Sequence, residues 1–217
     1  AMHISLKNNF VYAATAKCGC STIKKTLIRL ELEDDALEFF DPEDIHRREF
    51  SPFLTPLQIP NISKFLSNGN TFRFCFSRHP FERILSAYLD KIVRNKPEKA
   101  QIMAQLGKEP NSTEQITFAA FVDAVVDQPV EKMDPHWRTQ YHQTFQDKIS
   151  YDFIGRVERL ETDLLIVGEK LGVDIGAYYS EETRHMTNAR NYIGDFFTTD
   201  IRRKVAVKYA IDFEYFA

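Results

Sequence analysis

A chain of 217 residues, 43% hydrophobic and 27% charged, is large enough to bury its own core without disulfide or metal staples. Its net charge of −3 excludes a general electrostatic hold on nucleic acid, so any anionic ligand must meet a local cluster of basic groups. No apolar run approaches the roughly 20 residues of a membrane span, and the first residues lack the basic-then-apolar order of a signal peptide. The three cysteines, Cys18, Cys20 and Cys75, form neither a disulfide framework nor a zinc pattern, so reduced thiols, no metal and a cytoplasmic setting are expected.

Phe10 to Ala14 is a short apolar run that predicts a buried strand. After Lys17-Cys18-Gly19-Cys20-Ser21, residues Ile23, Leu27 and Leu30 recur at helical spacing, with Lys24, Lys25 and Arg29 on other faces and Ser21 placed as the N-cap. Residues 33 to 69 read as irregular, with a short helix around Asn61 to Leu66. Thr71 to Ser77 alternates as a strand does, and Pro80 then opens a helix whose buried face is Ile84, Leu85, Tyr88 and Ile92. Residues 96 to 115 read as a partly helical surface excursion, followed by an apolar helix over Phe118 to Val126. Tyr151 to Val157 predicts a third strand. Leu160, Leu164, Val167 and Leu171 mark a helix that closes at Gly172, and a last helix covers Thr199 to Tyr209. Strand–helix units in series predict an α/β fold with a parallel central sheet, and no linker divides the chain.

Two of the strand–helix junctions carry anion chemistry. In the first, backbone N–H groups at the helix start, the small Gly19, the hydroxyls of Ser21 and Thr22 and the charge of Lys17 make a cradle. The alternative is a plain turn at Gly19 with a solvated lysine. A nucleotide triphosphatase loop ends Gly-Lys-[Ser/Thr], whereas here the lysine precedes the glycine, which weakens a kinase reading. In the second junction Arg78 stands just before the helix, where its planar fork can hold a phosphate, and Ser86 follows on the helix about 9 Å beyond Pro80.

Ala16-Lys17-Cys18-Gly19-Cys20-Ser21-Thr22-Ile23-Lys24 resembles the 5′-phosphosulfate loop of sulfotransferases, and Phe76-Ser77-Arg78-His79-Pro80-Phe81-Glu82-Arg83 through Ser86 resembles their 3′-phosphate motif. Three further stretches are similar to elements of the carbohydrate sulfotransferases that include the chondroitin and dermatan enzymes and bacterial relatives. These are His136-Trp137-Arg138-Thr139-Gln140, Tyr151-Asp152-Phe153-Ile154-Gly155-Arg156-Val157-Glu158 and Asp212-Phe213-Glu214-Tyr215-Phe216. The five matches run from residue 16 to 216. Ala16 and Thr139 replace family prolines, and Thr144-Phe145-Gln146-Asp147 lacks the cysteine pair of secreted-pathway members. The resemblance therefore points to a bacterial-type, cytoplasmic member rather than a Golgi enzyme.

What the resemblance implies is a P-loop-like three-layer α/β fold with a central parallel sheet flanked by helices. It implies one domain over 1–217 with a mostly helical excursion at about 95–145. The implied activity is transfer of a sulfonate from 3′-phosphoadenosine-5′-phosphosulfate to a carbohydrate hydroxyl by in-line displacement, without metal. Lys17 is expected to bridge sulfonate and leaving phosphate, with Cys18, Gly19, Cys20, Ser21 and Thr22 holding that phosphate and Arg78 and Ser86 holding the 3′-phosphate. His46 and His136 compete as general base. Weaker candidates are Arg47 and Arg48 for an acidic sugar, Arg184 and Asn188 for the donor, and Trp137 for sugar stacking or, alternatively, the core. Arg202, Arg203 and Lys204 read as an exposed face, and His79, His142 and His185 as structural. The rival functions are a non-catalytic nucleotide- or glycan-binding module of the same fold and a P-loop kinase.

Overall fold

The computed structural model describes residues 1–181 and 187–216, so Arg184 and His185 lie outside the described residues. Along the chain run β1 (Met2–Ser5), β2 (Phe10–Ala13), α1 (Cys20–Leu32), α2 (Ile62–Leu66), β3 (Phe72–Ser77), α3 (Pro80–Ala87), α4 (Lys99–Gln105), α5 (Phe118–Asp127), α6 (Gln140–Gln143), β4 (Phe153–Arg156), α7 (Leu160–Leu171), α8 (Ala189–Phe196), α9 (Thr199–Lys208) and α10 (Ala210–Phe216). They fall into two compact units, Ala1–Ser77 with Thr144–Thr183, and Arg78–Gln143 with Arg184–Ala217.

The first unit holds the sheet, in the order β1-β2-β3-β4. The three strands legible in the sequence, β2, β3 and β4, are parallel to one another. The edge strand β1 is antiparallel to β2 and was not foreseen, because four residues of mixed character give no periodicity to read. Phe10 and Tyr12 of β2 and Phe74 and Phe76 of β3 lie on one face, where Tyr12 stacks on Phe74 at 5.2 Å between ring centroids. Ile23 and Leu27 of α1 and Leu164 and Val167 of α7 pack into the same cluster, each contributing roughly 1.5–3 kcal/mol by burial. Gly155 sits opposite Phe76 in the β3–β4 register, and a Cβ there would lie 2.5 Å from the Phe76 ring, so only glycine fits. The helix α7 ends as expected, at a left-handed Gly172 with φ 69°.

The second unit is helical around its own core, in which Trp137, Phe121, Leu85, Ile92, Met103 and Val205 are buried. Pro80 takes the first position of α3 and the His79 ring caps it, accepting from the Phe81 N–H at 3.1 Å. Ile84, Leu85, Tyr88 and Ile92 are buried as predicted, but the α-helix stops at Ala87 and continues as a π-turn over Tyr88–Ile92. Within that turn the Tyr88 hydroxyl donates to the Ile116 carbonyl at 2.7 Å. Trp137 is fully buried, its indole N–H donating to Gln128 Oε1 at 3.0 Å. It is therefore core, and stacking on a sugar is ruled out.

Candidate functional site

The loop between β2 and α1 is built from two left-handed residues. Lys17 has φ 64° and Gly19 φ 70°, and the Cys18 N–H closes a turn onto the Thr15 carbonyl at 3.2 Å. A lysine in that conformation costs about 1 kcal/mol or more, strain of the kind that concentrates at functional loops. Gly19 is required twice over, by its φ and because a Cβ would press on Leu160 at 3.3 Å. Gly19, not Ser21, is the N-cap of α1, which corrects the expectation for Ser21. The first helical bond runs from the Ile23 N–H to the Gly19 carbonyl, so the N–H groups from Gly19 to Thr22 lie ahead of the helix's own ladder. No acidic residue stands in that first turn. The dipole and those N–H groups favour an anion at this end.

Ser21, released from capping, turns to His46. Its Oγ lies 3.1 Å from His46 Nε2, and the Lys24 amine lies 3.2 Å from the other ring nitrogen, Nδ1. Lys24 is buried, and burial pulls its ammonium pKa below the ordinary lysine value. Lys25 and Arg29, on the same helix, are also buried and both reach Glu38 at 2.6 Å, tying down the irregular segment that carries His46. None of these three basic residues was singled out from the sequence, because a lysine on a helix usually faces water. Arg47 pairs with Asp44 and Glu49, and Arg48 bonds to Ser51, Phe53 and Gln58. These partners are all groups of the chain itself.

In the second unit Arg78 follows directly on β3. Its Nε lies 3.8 Å from Glu82, whose carboxylate also lies 3.7 Å from Arg190. Ser86 is buried and its hydroxyl accepts from the Thr187 hydroxyl at 3.0 Å. The α8 helix lies against α3 and places Thr187 and Arg190 in the neighbourhood of the motif. The late polar segment was expected to matter through Arg184 and Asn188. Asn188 stands at the N-cap position of α8 with φ 51°, and its side chain makes no capping hydrogen bond. Thr187, Glu82 and Arg190 were missed.

His136 belongs to this unit too. Its Nδ1 lies 2.6 Å from Asp134 and 3.8 Å from Glu98. Burial alone would raise the Asp134 carboxyl, but the side-chain and backbone hydrogen bonds from His136 outweigh it and hold the pKa below the ordinary value. Of the two base candidates, then, His46 touches the Lys17 loop's helix and His136 is engaged by carboxylates. His142 bonds to Thr139 at 2.6 Å. Arg203 and Lys204 pair with Asp200, and Lys204 also with Asp123, an exposed ion-paired face as expected.

The fold is mixed α/β, with a loop of two left-handed residues opening onto the N-terminus of α1, Arg78 just ahead of α3 and Ser86 within α3. The sequence profile described as the sulfotransferase family matches residues 1–217, and the chain belongs to that family. It is 31% identical over 167 residues to carbohydrate sulfotransferase 14 of Homo sapiens, covering 74% of this chain and 43% of that protein. It is 28% identical over 224 residues to carbohydrate sulfotransferase 14 of Danio rerio (97% and 60%), and 28% identical over 233 residues to carbohydrate sulfotransferase 10 of Homo sapiens (97% and 64%). The chain spans about half the length of the curated relatives it matches. No solved structure gave a significant match.

These relatives correct one expectation. They are animal carbohydrate sulfotransferases, the group set aside from the sequence as Golgi enzymes, so the cytoplasmic assignment falls. It leaned on a missing cysteine pair and a missing anchor, and a chain covering only part of its relatives carries no information about an anchor. Among the described residues, no helix is long and apolar enough to cross a membrane, and no group of His, Cys, Asp and Glu is arranged to hold a metal.

Proposed function

We propose that this chain transfers a sulfonate group from 3′-phosphoadenosine-5′-phosphosulfate to a hydroxyl of a carbohydrate. The observation that carries the reading is the Lys17–Thr22 loop. Two left-handed residues open it onto the N-terminus of α1, and the His46 ring sits on that helix's first turn. The names of the relatives support sulfate transfer to a carbohydrate.

In the proposed reaction the acceptor oxygen forms a bond to sulfur as the bond from sulfur to the 5′-phosphate oxygen breaks. The hydroxyl proton passes to a base and the electron pair stays on the departing phosphate. Lys17 and the N–H groups from Gly19 to Thr22 stabilise charge as it builds on that phosphate, the kind of preorganised stabilisation that supplies much of a transfer enzyme's rate. Cys18 and Cys20 contribute backbone rather than thiol. Arg78 and Ser86 take the 3′-phosphate.

His46 is the base in this scheme, acting through Nε2, the nitrogen that faces Ser21. That role needs the ring proton on Nδ1 and an acceptor for it. The Lys24 amine supplies that acceptor once deprotonated, and its burial brings deprotonation closer to neutral pH. A protonated Lys24 imposes the opposite tautomer, with Nδ1 accepting and Nε2 blocked by its own proton. Calorimetric titration with adenosine 3′,5′-bisphosphate against ATP tests the donor assignment. Preferential binding of the bisphosphate is expected, and a preference for ATP with magnesium returns the chain to the kinase reading.

A further inference from the structure

The sheet ladder ends at the pair Ser77–Arg156, one residue short of Arg78. From there the chain must turn into α3, and the peptide groups on either side of the Arg78 Cα need partners of their own. Gln140 supplies both. Its Oε1 accepts from the Arg78 N–H at 2.8 Å and its Nε2 donates to the Arg78 carbonyl at 2.8 Å. The primary amide thus acts as one further rung of a β-ladder, donated by a side chain 62 residues away.

Gln140 is itself held. It is 1% exposed, its N–H donates to Asp212 Oδ2 at 2.8 Å, and the Tyr141 N–H donates to the other carboxylate oxygen at 2.9 Å. Asp212, wholly buried, therefore caps the short α6 at whose first position Gln140 stands. Upstream, the buried Arg83 guanidinium donates to the carbonyls of Arg138 at 2.6 Å and Pro135 at 3.0 Å. The Tyr209 hydroxyl donates to the Trp137 carbonyl. Residues 135–141 are fixed from several sides, and this rigidity is delivered to one place, the main chain of Arg78.

We infer that Gln140 is a positioning residue for phosphate recognition: by clamping both main-chain groups of Arg78 it fixes the direction in which the guanidinium leaves the backbone. The inference rests on the reading of Arg78 as the 3′-phosphate ligand. It gives a job to two motif residues, Gln140 and Asp212, that no catalytic step uses. A side chain as long as arginine amplifies any rotation at its Cα, so loosening one peptide group spreads the guanidinium over positions that no longer meet a phosphate in register.

A stitch that only stabilises the unit and a clamp that aims Arg78 differ in what they do to ligand discrimination. The quantity to measure is the affinity of the full chain for adenosine 3′,5′-bisphosphate divided by that for adenosine 5′-monophosphate, by calorimetry. Gln140→Glu keeps the side chain's shape but turns the group that donates to the Arg78 carbonyl into a second acceptor. The ratio should collapse in Arg78→Ala. It should fall about tenfold in Gln140→Glu while monophosphate affinity stays within about twofold, and the double variant should fall no further than Arg78→Ala alone. If Arg78→Ala lowers the ratio but Gln140→Glu leaves it at the wild-type value, or lowers both affinities together, the positioning role is wrong and the phosphate site stands. If Arg78→Ala leaves the ratio unchanged, the phosphate assignment fails and takes the inference with it. Should Gln140→Glu not fold, as judged by its thermal melt, Gln140→Asn provides the same readout, with both amide groups kept on a shorter arm.

Discussion

His3 makes acid stability a quantitative test of the first unit. It sits on β1 directly across from Tyr12, stacked on that ring at 5.9 Å and with Phe53 edge-on at the same distance. Among the described residues neither ring nitrogen has a hydrogen-bond partner. Burial, reinforced by the positive charges of Lys24, the N-terminus and Arg48, pushes its pKa down from 6.5 to about 3. The sign follows directly. Between those values the unfolded chain binds a proton that the folded chain refuses, so stability is complete above pH 6.5 and drains away as the pH falls. Linkage between pH 7.5 and 4.5 gives a loss of about 2.6 kcal/mol from this group alone. Urea unfolding of the wild type and of His3→Leu at both pH values isolates it, since other titrating groups are common to the two proteins. The wild type should lose about 2.6 kcal/mol more than the variant on acidification. An equal loss in both would mean that His3 is protonated in the fold, and that β1 is not packed as described.

Replacing Lys17 by Ala should lower the turnover of labelled donor by about 10²–10³-fold, while Lys17→Arg restores part of it; near-wild-type turnover by the alanine variant removes Lys17 from the mechanism. Lys24→Arg fixes a permanent cation beside His46 Nδ1, so kcat should drop and the rise of rate with pH should flatten, with adenosine 3′,5′-bisphosphate affinity retained; an unchanged pH profile would sink the tautomer argument. His46→Ala should abolish the acidic limb of the pH–rate profile and His136→Ala should leave it in place; the reverse outcome transfers the base to the Asp134–His136 pair. Gly155→Ala should cost about 1–3 kcal/mol in denaturant unfolding, recovered in part by Phe76→Leu, because the new methyl meets the Phe76 ring.

The strands β2, β3 and β4 were legible because their side chains are apolar or alternate cleanly, and α7 because its stripe and its terminal Gly172 agree. The proposed cradle at Lys17 and the proposed pair Arg78 and Ser86 could be put forward from the sequence because the residues of each lie close together at a strand–helix junction. What escaped were interactions between distant segments. Gln140 and Asp212 could be matched as a pattern, yet nothing in a linear reading says that one clamps Arg78 and the other caps α6. Lys24 looked like a surface lysine until the irregular segment carrying His46 folded over it. Ser21 looked like a cap because serine usually is one, but the loop's left-handed Gly19 moved the helix start forward by two residues and freed the hydroxyl for His46. Local propensity fixed the elements, and tertiary packing decided which polar side chains meet.

The most direct test of the whole account is to incubate the chain with donor carrying a radioactive sulfonate and a panel of carbohydrate acceptors, then count label in the glycan fraction. The account requires label to appear in a glycan with stoichiometric release of adenosine 3′,5′-bisphosphate, and to vanish with Lys17→Ala. Tight binding of the bisphosphate with no label transferred to any acceptor would contradict it and leave a nucleotide-binding module in place of an enzyme.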